Sequence, residues 1–381
     1  MLCGALLACA APAVTASPTR SVAPTQLVTP SSAPTATPSP STTATPVAIV
    51  NPSPTPVPTL AVPPGPVASE PYAGPFVPAV IAFDSPTHGV VAGAVGFGSG
   101  AGIVGVTNDG GRTWRLRRLA TPELDAVTVF GSLILASTPC VDDEPLGCEP
   151  SLIRSTDGGT TWQAEATLGF DLDHPFAIDA QYIWATDAVS GLQAAFLATS
   201  ADGGRTWQRE PSPCPATWVP QQVGFTDPQH GWLACIGLYA ASMDAKGLMV
   251  TSDGGKTWTT RLWLDGSESP TEANDVLYNS PLLGIEFAPG GWGWWDNFSG
   301  FYTTADAGRT WHLLGFDGNV PNAAATAAPY VLSAVRFNAT DGLALIAANQ
   351  VKNPQAMVVE ATHDGGRTWS VRTTWPWTPA L

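Results

Sequence analysis

One octapeptide pattern recurs six times along the 381-residue chain: TNDGGRTW (107–114), STDGGTTW (155–162), SADGGRTW (200–207), TSDGGKTW (251–258), TADAGRTW (304–311) and THDGGRTW (362–369). Its aspartates, Asp109, Asp157, Asp202, Asp253, Asp306 and Asp364, stand 48, 45, 51, 53 and 58 residues apart. A unit of that size must stack on its neighbours to bury an apolar face, and its length matches one four-stranded blade of a β-propeller. The repeat predicts an all-β propeller of six blades of four antiparallel strands, with an unboxed seventh blade as the alternative.

Each position of the octapeptide suits a tight turn between antiparallel strands. The aspartate accepts hydrogen bonds from its own turn, the glycines supply positive φ, and the hydroxyl residues satisfy neighbouring polar groups. The tryptophans, Trp114, Trp162, Trp207, Trp258, Trp311 and Trp369, re-enter the sheet and bury a large apolar area between blades. Ahead of each box lies a weaker element of strand, turn and strand, clearest in VGFTDPQHGWLAC from Val223 and IEFAPGGWGWWDN from Ile285. Alternation such as Val335, Phe337 and Leu343, Leu345 has the period of two of strands. Each unit reads strand, strand, strand, box, strand. In this phase the first and last blades complete themselves, so the ring would close by side-chain packing without a shared blade.

The pattern S/T-x-D-x-G-x-T-W resembles the Asp-box, or BNR repeat, of sialidases, sortilin-type receptors and bacterial and plastid propellers. With the element from Phe225 to Trp232, residues from Phe76 to about Trp377 resemble the photosystem II stability and assembly factor group of the sialidase and YVTN-like superfamilies. That group is usually seven-bladed, whereas six units are countable here. The resemblance implies a propeller; it implies no single function, because the box is a turn device found in many settings.

The chain before the repeats is of another kind. Pro12 to Pro75 holds 17 prolines and 19 serines or threonines in 64 positions, with only Arg20 and Glu70 charged. Such a stretch cannot bury a core. The expected organisation is a signal or lipobox segment over 1–9, a disordered linker over 10–75 and the propeller over 76–381. Leu6-Leu7-Ala8-Cys9 resembles a bacterial lipobox, which makes Cys9 the lipid anchor of an exported protein held to the cell envelope and facing outward. The alternative is an ordinary signal cut after Ala16, and an upstream start codon fits the missing positive n-region. Cys140, Cys148, Cys214 and Cys235 then remain as an even set for disulfides, most simply Cys140 with Cys148 and Cys214 with Cys235.

The net charge of −15 argues against binding nucleic acid by phosphate neutralisation and against a polybasic hold on lipid. The expected membrane contact is the N-terminal lipid alone, and the expected state is a monomer. A sialidase-like glycosidase would need an arginine triad, a tyrosine with a glutamate partner and an aspartate acid. The Arg-Ile-Pro motif that the resemblance to sialidases implies ahead of the first box does not occur, and only Arg154 and Arg336 are candidates for inner strands. Glu286, Asp179 and Asp341 are candidate channel carboxylates. The five histidines do not cluster, and Asp142, Asp143, Glu144 and Glu149 lack the spacing of a calcium loop. No cofactor or metal is expected.

Binding needs no fixed catalytic constellation, and a propeller's channel mouth suits it. Arg115, Arg117 and Arg118 form a basic patch able to meet an acidic partner. Trp292 and Trp295 could stack on sugars or anchor a peptide, while Trp294 aligns with Trp232 as a packing residue. The reading is a non-catalytic propeller that binds a protein partner, as an assembly or stability factor of a membrane or envelope complex. A glycan binder and a sialidase-like hydrolase are the alternatives.

Overall fold

The computed structural model describes residues 65–96, 100–138, 152–165, 170, 172–187, 196–237, 245–264, 282–297, 300–316, 330–348 and 356–376. They form six antiparallel sheets, each holding four strands consecutive in sequence. The inner strands are Val77–Phe83, Ala126–Phe130, Asp173–Ala177, Val219–Phe225, Leu282–Ala288 and Tyr330–Arg336, each beside the next. The sixth lies beside the first, so the ring closes on six blades. No helix forms among the described residues.

The box turn explains the blade. In the first box Asp109 Oδ1 accepts from the N–H groups of Arg112 and Thr113 and from the Thr107 hydroxyl, and Oδ2 accepts from the Thr113 hydroxyl at 2.6 Å. Both residues after the aspartate are left-handed in every box, at φ 72° and 79° for Gly110 and Gly111, which is why the pattern carries paired glycines. The first of them donates to the inner turn of its own blade, as Gly110 does to Thr87 and Gly254 to Gln229. All six boxes make this bond, which puts box turns and inner turns on one face of the ring.

Between blades the tryptophans interlock. Trp369 of the sixth box packs on Trp294 and Phe301 of the fifth blade, and Trp258 on Trp184 of the third. Trp232 and Trp294 are buried, in keeping with packing roles. The seam between the sixth and first blades shares no strand. Its core joins Ile81 and Val91 to Leu343, Leu345 and Val359, with Phe83 against Phe337 and Phe76 against Trp375. Packing is not alone there: the Ser333 hydroxyl donates to the Ile81 carbonyl at 3.1 Å and the Thr373 hydroxyl to that of Gly111.

The linker expected to run to residue 75 joins the fold earlier. Gly65–Val67 adds a fifth strand to the outer edge of the second blade and Ser69–Pro71 one to the first. An outer propeller strand leaves a row of unpaired backbone groups, and a proline-rich segment can fill it because an edge strand tolerates residues without an N–H.

Candidate functional site

The inner strands enclose a central cavity of about 710 Å³. Its walls are re-aimed by a repeated irregularity: five of the six inner strands shift register against their neighbour, as between Pro78 and Val80, Pro220 and Gln222, and Leu282 and Gly284. Such bulges turn side chains that simple alternation would place elsewhere.

The polar groups of the channel come from separate blades. Gln222 of the fourth spans to the fifth, donating through Nε2 to Glu286 Oε1 at 3.0 Å and accepting the Ile285 N–H at 3.0 Å. His174 of the third blade has φ 44° and directly precedes Pro175, a strained backbone placed on the channel wall. Burial pushes Glu286 up to about 8, against the opposing pull of the His174 charge and the Gln222 hydrogen bond. Asp296, on the same face of the fifth blade, is 5 % exposed and neither carboxyl oxygen has a hydrogen-bond partner. Its pKa is raised well above the ordinary range by burial. Perturbed acids on a cavity wall mark a functional-site candidate.

Asp84, Asp125 and Asp227 also line the cavity. Against these five carboxyls stand His174 and Arg336, and four of the five N–H donors of Arg336 are taken. Nη1 bonds the Gly293 carbonyl and the Thr303 hydroxyl, Nη2 the Ala339 carbonyl and Nε the Asn338 carbonyl. Arg154, the other inner-strand candidate, lies on a third strand in a buried ion pair with Glu165. The two arginines that sequence singles out for gripping a carboxylate therefore both have structural partners. Asp179 caps the turn N–H groups of Gln181 and Tyr182, and Asp341 meets His363 and Asn338, so neither pairs with Glu286. Among the described residues no three His, Cys, Asp or Glu side chains gather into a metal-ligating group.

The remaining candidates are scattered. Arg115 and Arg118 are exposed on the first blade's outer strand, but Arg117 is bound to the Ser69 hydroxyl and carbonyl, so the added strand Ser69–Pro71 occupies the edge at which the sequence places an acidic partner. Trp295, expected at a partner surface, is fully buried between the fourth and fifth blades, edge-on to Trp311. Trp292 is half-buried, with the Arg336 guanidinium 5.7 Å from its ring centroid. Cys214 and Cys235 are joined in a disulfide with Cα atoms 5.8 Å apart. Cys9, Cys140, Cys148 and the acidic run from Asp142 to Glu149 lie outside the described residues. Asp296, His174 and Gln222 go unmarked as site residues in a reading of the sequence. An aspartate following two tryptophans in a strand was the one available signal.

The chain is thus a six-bladed β-propeller with an acidic, partly apolar channel. No protein-family model matches it, and no curated protein matches its sequence. Solved structures similar to it in fold include YCF48 bound to D1 peptide, at TM-score 0.45 and 16% identity over 81% of this chain and 84% of that one. Others are the GH74 xyloglucanase from Xanthomonas campestris, at 0.49 and 12% over 80% and 47%, and the Hadza microbial sialidase Hz136, at 0.43 and 14% over 70% and 67%. At these identities the likeness is one of fold.

Proposed function

We propose that the chain is an exported, non-catalytic propeller that grips a protein partner at its channel. One observation carries the reading. Of the four large hydrophobic side chains left exposed among the described residues, three belong to the channel or its turns: Phe130 at 39 %, Leu332 at 41 % and Tyr182 at 53 %. Phe130 ends the second inner strand and Tyr182 sits in the next blade's inner turn, so both stand on the box-turn face. Rigid aromatic groups beside a concavity are the anchors that protein interfaces use. Glycoside hydrolysis finds less support, because Arg154 and Arg336 are spent on structural bonds.

Export and anchoring at Cys9 belong to the same proposal. The Cys214–Cys235 disulfide supports an oxidising compartment. Intact-mass measurement of the mature protein tests the anchor, and an unlipidated N-terminus beyond Cys9 would remove it.

The binding reading is tested by placing a photo-crosslinking phenylalanine at Phe130 or Tyr182 in native cells. The expected result is one discrete adduct from each position and none from Val371, exposed on the sixth blade's outer strand. Adducts equal at all three positions, or none at Phe130 and Tyr182, would overturn it.

A further inference from the structure

The channel is lined by five carboxyls, Asp84, Asp125, Asp227, Glu286 and Asp296, in a protein of net charge −15. Two of them sit close to protein partners near the box-turn face: Asp84 meets His88 at 2.8 Å and Asp227 meets His230 at 2.9 Å. Deeper on the fifth blade the situation differs. Glu286 uses one oxygen toward Gln222. Asp296 is nine-tenths buried on the cavity wall, with both oxygens unpartnered. The register sets Glu286 opposite Trp294 and Gly284 opposite Asp296, so both carboxyls leave the same sheet face two positions apart. A buried carboxyl without a hydrogen bond costs stability, and it persists where a missing partner repays it. The Arg336 guanidinium does not supply that partner: four of its five N–H donors go to backbone carbonyls and Thr303, and none reaches Asp296.

Resting on the protein-binding reading above, we infer that the acidic wall formed by Glu286 and Asp296 receives the cationic head of a Lys or Arg side chain, carried into the channel by an extended partner segment. The occupant follows from charge complementarity and from the apolar groups that line the same channel. Leu332 on the neighbouring sixth blade and Phe130 at the box-turn mouth offer apolar contact to the flanking residues of the segment, and the carboxyls take the charged tip. Burial favours the neutral form of both acids, at Glu286 against the pull of the His174 charge and the Gln222 hydrogen bond, and a cation delivered against them favours the ionised form. The proton released passes to solvent.

The probe is a fluorescein-labelled peptide, acetyl-Gly-Leu-Lys-Leu-Gly-amide, titrated with the full chain and compared with its norleucine twin. The lysine peptide is expected to bind at least tenfold more tightly. The Glu286→Gln/Asp296→Asn double variant is expected to lose at least tenfold, while Glu210→Gln, which removes the same kind of charge on an outer strand, changes binding less than twofold. Near-isosteric replacement of two acids that burial penalises should leave the fold intact, with a melting temperature no lower than that of the unsubstituted chain; if the double variant unfolds, Glu286→Gln alone decides. Equal binding of the twin peptides, unchanged binding by the variant, or an equal loss with Glu210→Gln would overturn the inference. So would n-butylamine competing as strongly as the peptide binds, since that marks a small-amine site. If the lysine peptide fails while the Phe130 crosslink persists, only the cation falls. If the crosslink fails while the peptide binds, the protein-partner reading falls instead.

Discussion

Arg336, at the end of the sixth inner strand, donates through Nη1 to the backbone carbonyl of Gly293 in the fifth blade at 2.7 Å. With its bonds to Asn338 and Ala339 it ties two blades and an inner turn, and it lies 5.0 Å from the Trp294 ring centroid. Burial, with the charge of Arg367 added, lowers its pKa to about 10, so it stays charged at neutral pH. Replacing it by leucine strands the Asn338 and Ala339 carbonyls, while Gly293 keeps the Thr303 hydroxyl, and should destabilise the fold by about 3 kcal/mol. Lysine, a point donor without the fork, should recover only part of that loss. Urea midpoints of the two variants check the order, and equal midpoints for lysine and leucine would contradict it.

Stability should respond to acid through the boxes. The Thr113 hydroxyl and then its N–H hold Asp109 down to about 2, and Asp157, Asp253 and Asp364 reach about the same value. Asp202 and Asp306 are lowered too, by the same kinds of bond working against burial. A depressed carboxyl stabilises the fold above its unfolded pKa, near 3.9, and that contribution fades as pH falls toward about 2. The urea midpoint should therefore drop between pH 4 and pH 2, and less so in Asp109→Asn. Glu286 works the other way: with its pKa at about 8, the folded state keeps a proton that the unfolded state releases above roughly 4.3, so stability declines as pH rises from there toward 8. Glu286→Gln should flatten that upper decline and leave the acid limb unchanged. A variant that moves both limbs alike would disprove the assignment.

Much of the fold was legible because the box is local. Every bond that Asp109 accepts comes from residues 107–113, so an eight-residue window contains the whole device, and six copies number the blades. The channel was not legible in that way. His174 and Glu286 come together only when the ring closes, and inner-strand bulges break the alternation that would predict which side chains face inward. In WGWWDN Trp292 is half-buried at the inner turn, while Trp294 and Trp295 leave opposite sheet faces and are both buried, one against the sixth blade and one against the fourth; burial on both faces is what hides Trp295 from a reading by alternation. The arginines of the first outer strand looked open because their strand partner lies in a segment whose composition reads as linker.

Ala307 is the one box residue that strains its turn. It stands at φ 57°, where the other boxes place Gly110, Gly158, Gly203, Gly254 and Gly365 at 69° to 79°. A side chain in the left-handed region costs about 1–2 kcal/mol, and glycine returns part of that through its freer unfolded chain. The Ala307 N–H donates to Gly291 at 2.8 Å, a bond glycine keeps. Ala307→Gly should therefore stabilise the protein by about 0.5–1 kcal/mol, read as a higher urea midpoint at constant slope. An unchanged or lower midpoint would show that the methyl group packs better than its geometry suggests.

The strap over the first two blades should protect the edges it covers. The Ala120 N–H donates to the Ala68 carbonyl at 2.9 Å, and Arg117 reaches the Ser69 carbonyl at 3.1 Å. The Arg118–Glu70 pair, 4.0 Å apart and largely solvated, adds little by comparison. In a chain beginning at Tyr72 the Ala120 amide has no acceptor and should exchange its hydrogen at least tenfold faster. Amides of the second strand of that blade, Gly89–Ala94, are paired on both sides within the sheet and should keep their protection. Removing the strap also bares two outer edges, which favours edge-to-edge pairing between copies and should raise the apparent mass with concentration. If Ala120 exchanges at the same rate in both chains, the strap is not paired in solution, and the outer strand with Arg115, Arg117 and Arg118 becomes an open surface.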